Sequence, residues 1–189
     1  MPKSLLLVVN VDWFFLSHRK EIALEAQKRG FDITIVAKNT GKNEEIKSLG
    51  LKYIDLPMSR SSKNIIKELR TFLFLYFLYK RAKPDIVHHV GIKTILYGTL
   101  ATKLAHVSGV VNAVSGLGTF FSSDNSSVLS KIVIRILRYA HNQKHLFVIF
   151  QNDEDKALFL NNAIIKESQA VKIKGSGIDL NFFKYVPEQ

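Results

Sequence analysis

Cysteine is absent from all 189 residues, which excludes a disulfide framework, thiolate metal sites and a cysteine nucleophile, and fits a reducing compartment. Carboxylates are few: 16 Asp and Glu stand against 27 Lys and Arg, a formal charge of +11. That balance keeps anionic partners open, whether nucleic acid, acidic lipid head groups or phosphorylated small molecules. A long apolar run is also missing. The most apolar stretch, Thr71–Tyr79, is hemmed by Lys67, Glu68 and Arg70 before it and by Lys80, Arg81 and Lys83 after it. A spanning helix needs about 20 apolar residues, so this run falls short. Leu5–Val9 is too short for the apolar core of a secretion signal, and no small-residue cleavage site follows. The expectation is a cytoplasmic chain that touches a membrane surface.

Several motifs are missing as well. The turn after the first strand, Val11–Arg19, holds no glycine, whereas a dinucleotide pyrophosphate needs G-x-G-x-x-G there for close backbone approach. This argues against an NAD or FAD oxidoreductase, and the lack of G-x-x-x-x-G-K-S/T argues against a P-loop NTPase. No H-E-x-x-H or carboxylate cluster points to a metal, and His88 and His89, as strand neighbours, face opposite ways. Ser115-Gly116-Leu117-Gly118 is not the G-x-S-x-G elbow of hydrolases.

What is present is a globular composition, 47% hydrophobic and 23% charged, in a chain long enough for one sizeable core. Apolar runs read as strands at Leu5–Asn10, Phe31–Ala37, Leu51–Leu56, Asp85–His88, Val110–Val114, Leu146–Phe150 and Ala170–Ile173. Between them, helical spacing predicts helices over Leu16–Arg29, Glu44–Leu49, Ser62 (as N-cap) to about Ala82, Thr94–Val107, Val128–Lys144 and Asp153–Asn161. Strict alternation predicts parallel βαβ units, an α/β, Rossmann-like doubly wound parallel sheet forming one domain over 1–189. In such sheets the ligand crevice lies beyond the carboxyl ends of the strands.

At those ends His18 and Arg19 fall near a helix start, where free N–H groups favour an anion; the other reading is a surface histidine and a solvated arginine. Lys93 and Thr94 open the helix after the fourth strand, with Gly91 giving room, as a phosphate subsite or as an ordinary cap. Two basic trios lie at i, i+4, i+7: Lys63, Lys67 and Arg70, then Lys131, Arg135 and Arg138. Beside the aromatic run they suit an anionic membrane, at about 1 kcal/mol per basic residue, or else are solvated faces. Nucleic acid is the poorer partner, because the aromatics form an apolar block rather than interleaving with charge.

Lys174-Gly175-Ser176-Gly177-Ile178-Asp179-Leu180-Asn181-Phe182-Phe183 resembles the "(N)G-V-D-x-x-x-F" segment that closes the N-terminal domain of GT-B retaining glycosyltransferases of family 4. Lys83-Pro84-Asp85-Ile86-Val87-His88 is similar to that family's "KPDVVH" strand. Ser115–Phe121 and Ser59–Asn64 resemble a bacterial branch that extends undecaprenyl-diphosphate-linked sugars in capsule, O-antigen (lipopolysaccharide) and N-glycan assembly.

The resemblance implies the acceptor-binding N-terminal domain of a nucleotide-sugar-dependent transferase, with residues 175–189 leading into a linker. The C-terminal nucleotide-sugar domain is then missing, so this is a truncated piece or a separately encoded half, inactive alone. An alternative is a membrane-recruited module that completes a partner subunit in trans. By resemblance, Arg19, Arg60 and Lys93 would hold the acceptor diphosphate in one pocket, with Thr94, and Ser115, Gly116 and Gly118 would lie beside the reacting sugars. The family's usual histidine after the fifth strand is replaced by Ser115, so no catalytic base is assigned. No cofactor or metal is implied beyond the nucleoside-diphosphate sugar as donor. The implied place is the inner face of the cytoplasmic membrane.

Overall fold

The apolar run at the amino end forms β1, Ser4–Val11, and its period of two serves both faces of a sheet. Leu5, Leu7 and Val9 pack into one core cluster and Leu6 and Val8 into another. The structure is a computed structural model that describes residues 2–58, 64–116 and 128–175. After β1 come α1 (Asp12–His18), α2 (Lys20–Lys28), β2 (Asp32–Lys38), α3 (Asn43–Ser48), β3 (Lys52–Asp55) and α4 (Ile65–Ala82). The second half runs β4 (Ile86–Val90), α5 (Ile92–Ala105), β5 (Gly109–Val114), α6 (Val128–His141), β6 (Leu146–Phe150), α7 (Asp153–Asn161) and β7 (Ala170–Lys172).

The seven strands form one sheet in the order β3-β2-β1-β4-β5-β6-β7, with every pair parallel. This is the expected doubly wound α/β architecture. One face packs against α1, α2 and α3 through Phe15, Ala23 and Ile46. The other packs against α4, through Leu75 and Tyr79, and against α5, α6 and α7, through Ile95, Leu137 and Phe159. Past α2 the first face carries no helix among the described residues. Phe147, Val171 and Ile173 there are 47%, 40% and 48% exposed.

Several boundaries differ from the sequence reading. The first helix starts at Asp12, not Leu16, and breaks at Arg19, whose φ of −130° and ψ of −5° separate α1 from α2. Asp12 causes the early start: its carboxylate accepts the Trp13 and Lys42 N–H groups at 2.8 and 2.9 Å and the Thr40 N–H at 2.7 Å, besides the Thr40 hydroxyl. Burial would raise this carboxyl; the bonds from Thr40, Lys42 and Trp13 outweigh it and hold it below the usual range. The cap of α4 is Asn64, whose side chain accepts from Ile66 N–H at 2.9 Å, while the expected Ser62 lies outside the described residues. β4 continues through His89 and Val90, which pair with Asn112 and Ala113. α6 ends at His141 rather than Lys144, because Gln143 Nε2 turns back to donate to the Ala140 carbonyl at 2.7 Å.

A buried polar network fastens α4, α5 and α6 to the middle of the sheet. His89 Nδ1 donates to Asn112 Oδ1 at 2.8 Å, which leaves His89 Nε2 to accept from the Tyr79 hydroxyl at 3.0 Å. Asn112 Nδ2 donates to Thr99 Oγ1 at 2.9 Å and to His141 Nε2 at 3.0 Å, and His141 Nδ1 donates to the Leu137 carbonyl at 2.8 Å. His89, Asn112, Thr99 and His141 are fully buried. Gly98 gives the space: a Cβ there would stand 2.3 Å from the His89 ring.

Candidate functional site

The strand order reverses between β1 and β4, so the crevice opens where Asn10 and Gly91 meet. Gly91 has φ of +92°, and a Cβ on it would come within 3.0 Å of Asn10 Nδ2, so both conformation and space demand glycine. Asn10 Oδ1 is shielded from solvent with no hydrogen-bond partner among the described residues. An acceptor left open in this way costs about 1–3 kcal/mol, which a bound donor would recover.

Lys93 stands on the first turn of α5. Its Nζ meets Glu68 Oε1 at 2.8 Å, and both side chains are largely buried, 22% and 16% exposed. Glu68 comes from the first turns of α4 and is shared with Tyr97, whose phenol is raised above the ordinary tyrosine range, first by burial and then by its bond to that carboxylate. Lys93 is therefore held in place by α4. Thr94 faces inward, fully buried, and its hydroxyl donates to the carbonyls of Val90 at 2.6 Å and Gly91 at 2.8 Å. It fastens the start of α5 to β4, and its hydroxyl is spent on that work rather than offered to the crevice as the sequence suggested.

Arg19 lies on the other face. At 5% exposure it is buried, and its Nη1 donates to the His18 carbonyl at 3.1 Å. Burial lowers the guanidinium pKa but leaves it charged. With His88 it lines a cleft of about 180 Å³ between α2 and the ends of β5, β6 and β7, walled by Ile22, Val114, Ile149, Gln151, Ile173 and Gly175. His88 Nε2 is shielded and has no hydrogen-bond partner among the described residues. Burial, then the charge of Arg19, pull the His88 pKa down to about 4, so its ring is neutral.

The described residues of the two basic trios lie on the same side of the sheet, since α5 packs between α4 and α6. Lys67, Arg70, Lys131, Arg135 and Arg138 are all exposed, and Arg138 also donates to the Asn162 carbonyl at 2.7 Å. The aromatic run named beside them in the sequence supplies part of an exposed apolar stripe, which Ile66 and Leu69 extend towards the start of α4. Ile66, Leu69, Leu73 and Phe77 on α4 are 78%, 53%, 39% and 62% exposed. With Asp55, Pro57, Arg70 and Phe74 they line an open groove of about 600 Å³.

Arg19 and Lys93 therefore line no common cleft among the described residues: one is on the α2 side, the other between α4 and α5. Arg60, Lys63 and Gly118 lie outside the described residues. Ser115 is half-buried just past the end of β5, and Gly116 follows it, exposed, with φ of +105°. No group of three or more His, Asp or Glu able to hold a metal occurs among the described residues. No helix among them is long and apolar enough to cross a membrane. Glu68, at the Lys93 ion pair, and Asn10 and His88, with their unpartnered polar atoms, had no local signal in the sequence, because what marks each is a neighbour or a missing neighbour distant in the chain.

Residues 4–152 match the family model described as glycosyl transferase 4-like. A curated relative from Campylobacter jejuni, an N,N'-diacetylbacillosaminyl-diphospho-undecaprenol alpha-1,3-N-acetylgalactosaminyltransferase, is 27% identical over 179 residues, covering 89% of this chain and 47% of the relative. A second, the Escherichia coli UDP-Gal:alpha-D-GlcNAc-diphosphoundecaprenol alpha-1,3-galactosyltransferase, is 28% identical over 153 residues, covering 81% of this chain and 38% of the relative. The chain thus spans less than half the length of either. The fold is shared with a glycosyltransferase structure from Rickettsia africae, with a TM-score of 0.64 at 20% identity over 97% of this chain and 45% of that one. With the family model matching most of the chain, on a sheet whose strand ends carry the crevice described above, this protein belongs to the glycosyl transferase 4-like family.

Proposed function

We propose that this chain is the acceptor-binding half of a nucleotide-sugar-dependent glycosyltransferase that passes a sugar to a polyprenyl-diphosphate-linked saccharide at the inner face of the cytoplasmic membrane. The observation that carries this reading is one corner of the fold. On the first turns of α4, Glu68 reaches in to hold Lys93, while Ile66 and Leu69 are exposed beside the basic Lys67 and Arg70. A lipid diphosphate needs an apolar surface for its chain and a fixed cation for its phosphates, and this corner offers both within a few residues. Both curated relatives carry diphospho-undecaprenol acceptors in their names, which supports the same substrate class.

The donor is a nucleoside-diphosphate sugar, bound by a second domain, and the reaction uses no resident cofactor or metal. Ser115 and Gly116 lie beside the reacting sugars, and bringing donor and acceptor together across the interdomain cleft is what the two halves contribute to rate.

The test is sugar transfer by the protein with both halves present, using UDP- and GDP-sugars and a lipid-diphosphate acceptor. Lys93→Ala is expected to lower kcat/KM for the acceptor about tenfold to a hundredfold, the size of a charge-assisted contact. Unchanged KM and kcat would reject the phosphate role of Lys93. For the membrane surface, vesicle sedimentation is the check. Reversing Lys67 and Arg70 to Glu should weaken binding to vesicles rich in anionic lipid by about tenfold or more, at about 1 kcal/mol per basic residue lost. Binding that ignores salt, vesicle charge and these substitutions would remove the membrane from the proposal.

A further inference from the structure

The outer side of α4 and the ends of β2 and β3 hold charges that the Lys93 corner does not use. Lys38 and Asp55 are the last residues of β2 and β3, whose parallel pairing sets Ala37 beside Asp55. With Lys67 and Arg70 of α4 they line a cleft of about 270 Å³ that includes the buried Leu56 and Met58. Lys38 is half-buried and Lys67 and Arg70 are exposed; none of the three forms an ion pair among the described residues. The carboxylate of Asp55 accepts the Asn39 N–H at 2.8 Å. With Asp55 as the one carboxylate among three cations, the cleft is net positive.

This cleft runs into the apolar groove along α4, since Asp55, Pro57 and Arg70 line both. Ile66, Leu69, Leu73 and Phe77 carry the groove along about 16 Å of helix, at 1.5 Å per residue. That is close to half of a hydrocarbon core ~30 Å thick, the depth of one leaflet. Direction separates the site from Lys93. At 3.6 residues per turn Glu68 projects about 160–180° away from Ile66, Arg70 and Phe77, so its pair with Lys93 lies on the opposite side of α4. A free anion has no use for the groove, and an uncharged lipid has none for the cations. An amphiphile with an anionic head and an apolar chain complements both. The cleft is just below the span of about 300–1,000 Å³ that whole ligands occupy, which suits a head group whose chain lies outside it.

We propose that the Lys38–Lys67–Arg70 cleft and the α4 groove bind one anionic phospholipid of the bilayer, its phosphodiester head among the three cations and an acyl chain along Leu69, Leu73 and Phe77. This rests on the membrane contact in the functional reading and goes beyond it. The lipid is a stoichiometric ligand rather than a charged surface, and Lys38, which belongs to neither basic trio, takes part. Seating that lipid turns α4 and the β2–β3 edge towards the bilayer.

The experiment adds dihexanoyl-phosphatidylglycerol, kept monomeric below its micelle concentration, to the isotope-labelled 189-residue chain and follows the amide signals by NMR. Saturable shifts at Lys38, Asn39, Asp55 and Phe77 are expected, while His89 and Asn112 stay fixed and report that the fold is intact. Lys38→Gln should weaken binding about tenfold or more, the size of one charge-assisted contact. Lys131→Gln removes the same charge from the same side of the sheet and should change it by about twofold at most. Asp55→Asn should tighten binding by removing a like charge from the cleft. Phe77→Ser should weaken it with every cation in place, because the chain loses its seat.

Equal losses for Lys38→Gln and Lys131→Gln, or equal binding of zwitterionic dihexanoyl-phosphatidylcholine, overturn the site. Glycerol phosphate bound as tightly as the lipid overturns it in favour of a free-phosphate site, and farnesyl diphosphate bound more tightly at Lys38 overturns it in favour of the acceptor. No shift at all, with vesicle binding still dependent on Lys67 and Arg70, removes the lipid site and leaves the membrane contact standing. A lipid site confirmed in a protein that, with both halves present, transfers no sugar to a lipid diphosphate keeps this inference and removes the functional reading.

Discussion

Taken from pH 7.5 to pH 5, the chain is expected to lose on the order of 5 kcal/mol of folding stability. Three buried histidines cause this. Burial, then the charge of Arg19, bring His88 down to about 4. Burial brings His89 to about 3, although its bond to Asn112 works the other way, and brings His141 to about 4 against the pull of the Leu137 carbonyl. In the unfolded chain each titrates near its ordinary value of about 6.5. Because the folded values are depressed, this stability is whole above pH 6.5 and drains away as pH falls towards 4. At pH 5 each histidine costs about 2 kcal/mol, against a total stability of about 5–15 kcal/mol for such a domain.

At His141 the donor geometry acts in the same direction as burial. His141 Nε2 faces the Asn112 amide nitrogen, a donor that cannot accept, so a protonated ring would set donor against donor. Urea titrations at the two pH values check the expectation. Equal unfolding free energies would refute it, and single His→Gln variants should each flatten the pH dependence by about a third.

Gly98→Ala is expected to destabilise the chain by about 3 kcal/mol or more, lowering Tm by about 6–12 °C for a protein of this size. The sign is diagnostic. Glycine inside a helix normally loses about 1 kcal/mol against alanine, so the substitution ought to help α5. Here the new methyl would stand 2.3 Å from His89 Cδ2 and Nε2. The ring cannot give way cheaply, since it is fully buried and tied to Asn112 and Tyr79. Thermal unfolding of the variant decides it, and a Tm at or above that of the native chain would show that α5 can move. Adding His89→Ala to Gly98→Ala should recover part of the loss, because the clash and the network share one ring.

The alternation of apolar runs and helical spacing was enough to read seven parallel strands, and β6 and α7 coincide with their expected limits. The early start of the first helix was illegible, because Asp12 stabilises it through Thr40 and Lys42, residues 28 and 30 positions away. The same holds for the site. Lys93 could be placed at a strand end from its position alone, but its partner Glu68 is 25 residues earlier on another helix.

By itself, then, the sequence determined the fold class, the absence of a glycine phosphate loop after β1 and the basic faces of α4 and α6. All of these follow from the order and spacing of residues along a single element. Only the tertiary structure decided that Arg19 shares a cleft with His88, that Lys93 is held by Glu68 on the opposite face, and that the histidines of the core stay neutral. Those outcomes depend on β1 and β4 lying side by side, a pairing that joins Ser4 to Asp85 across 81 residues. Local periodicity carries no record of which strands become neighbours, and burial and charge pairing are set by the neighbours.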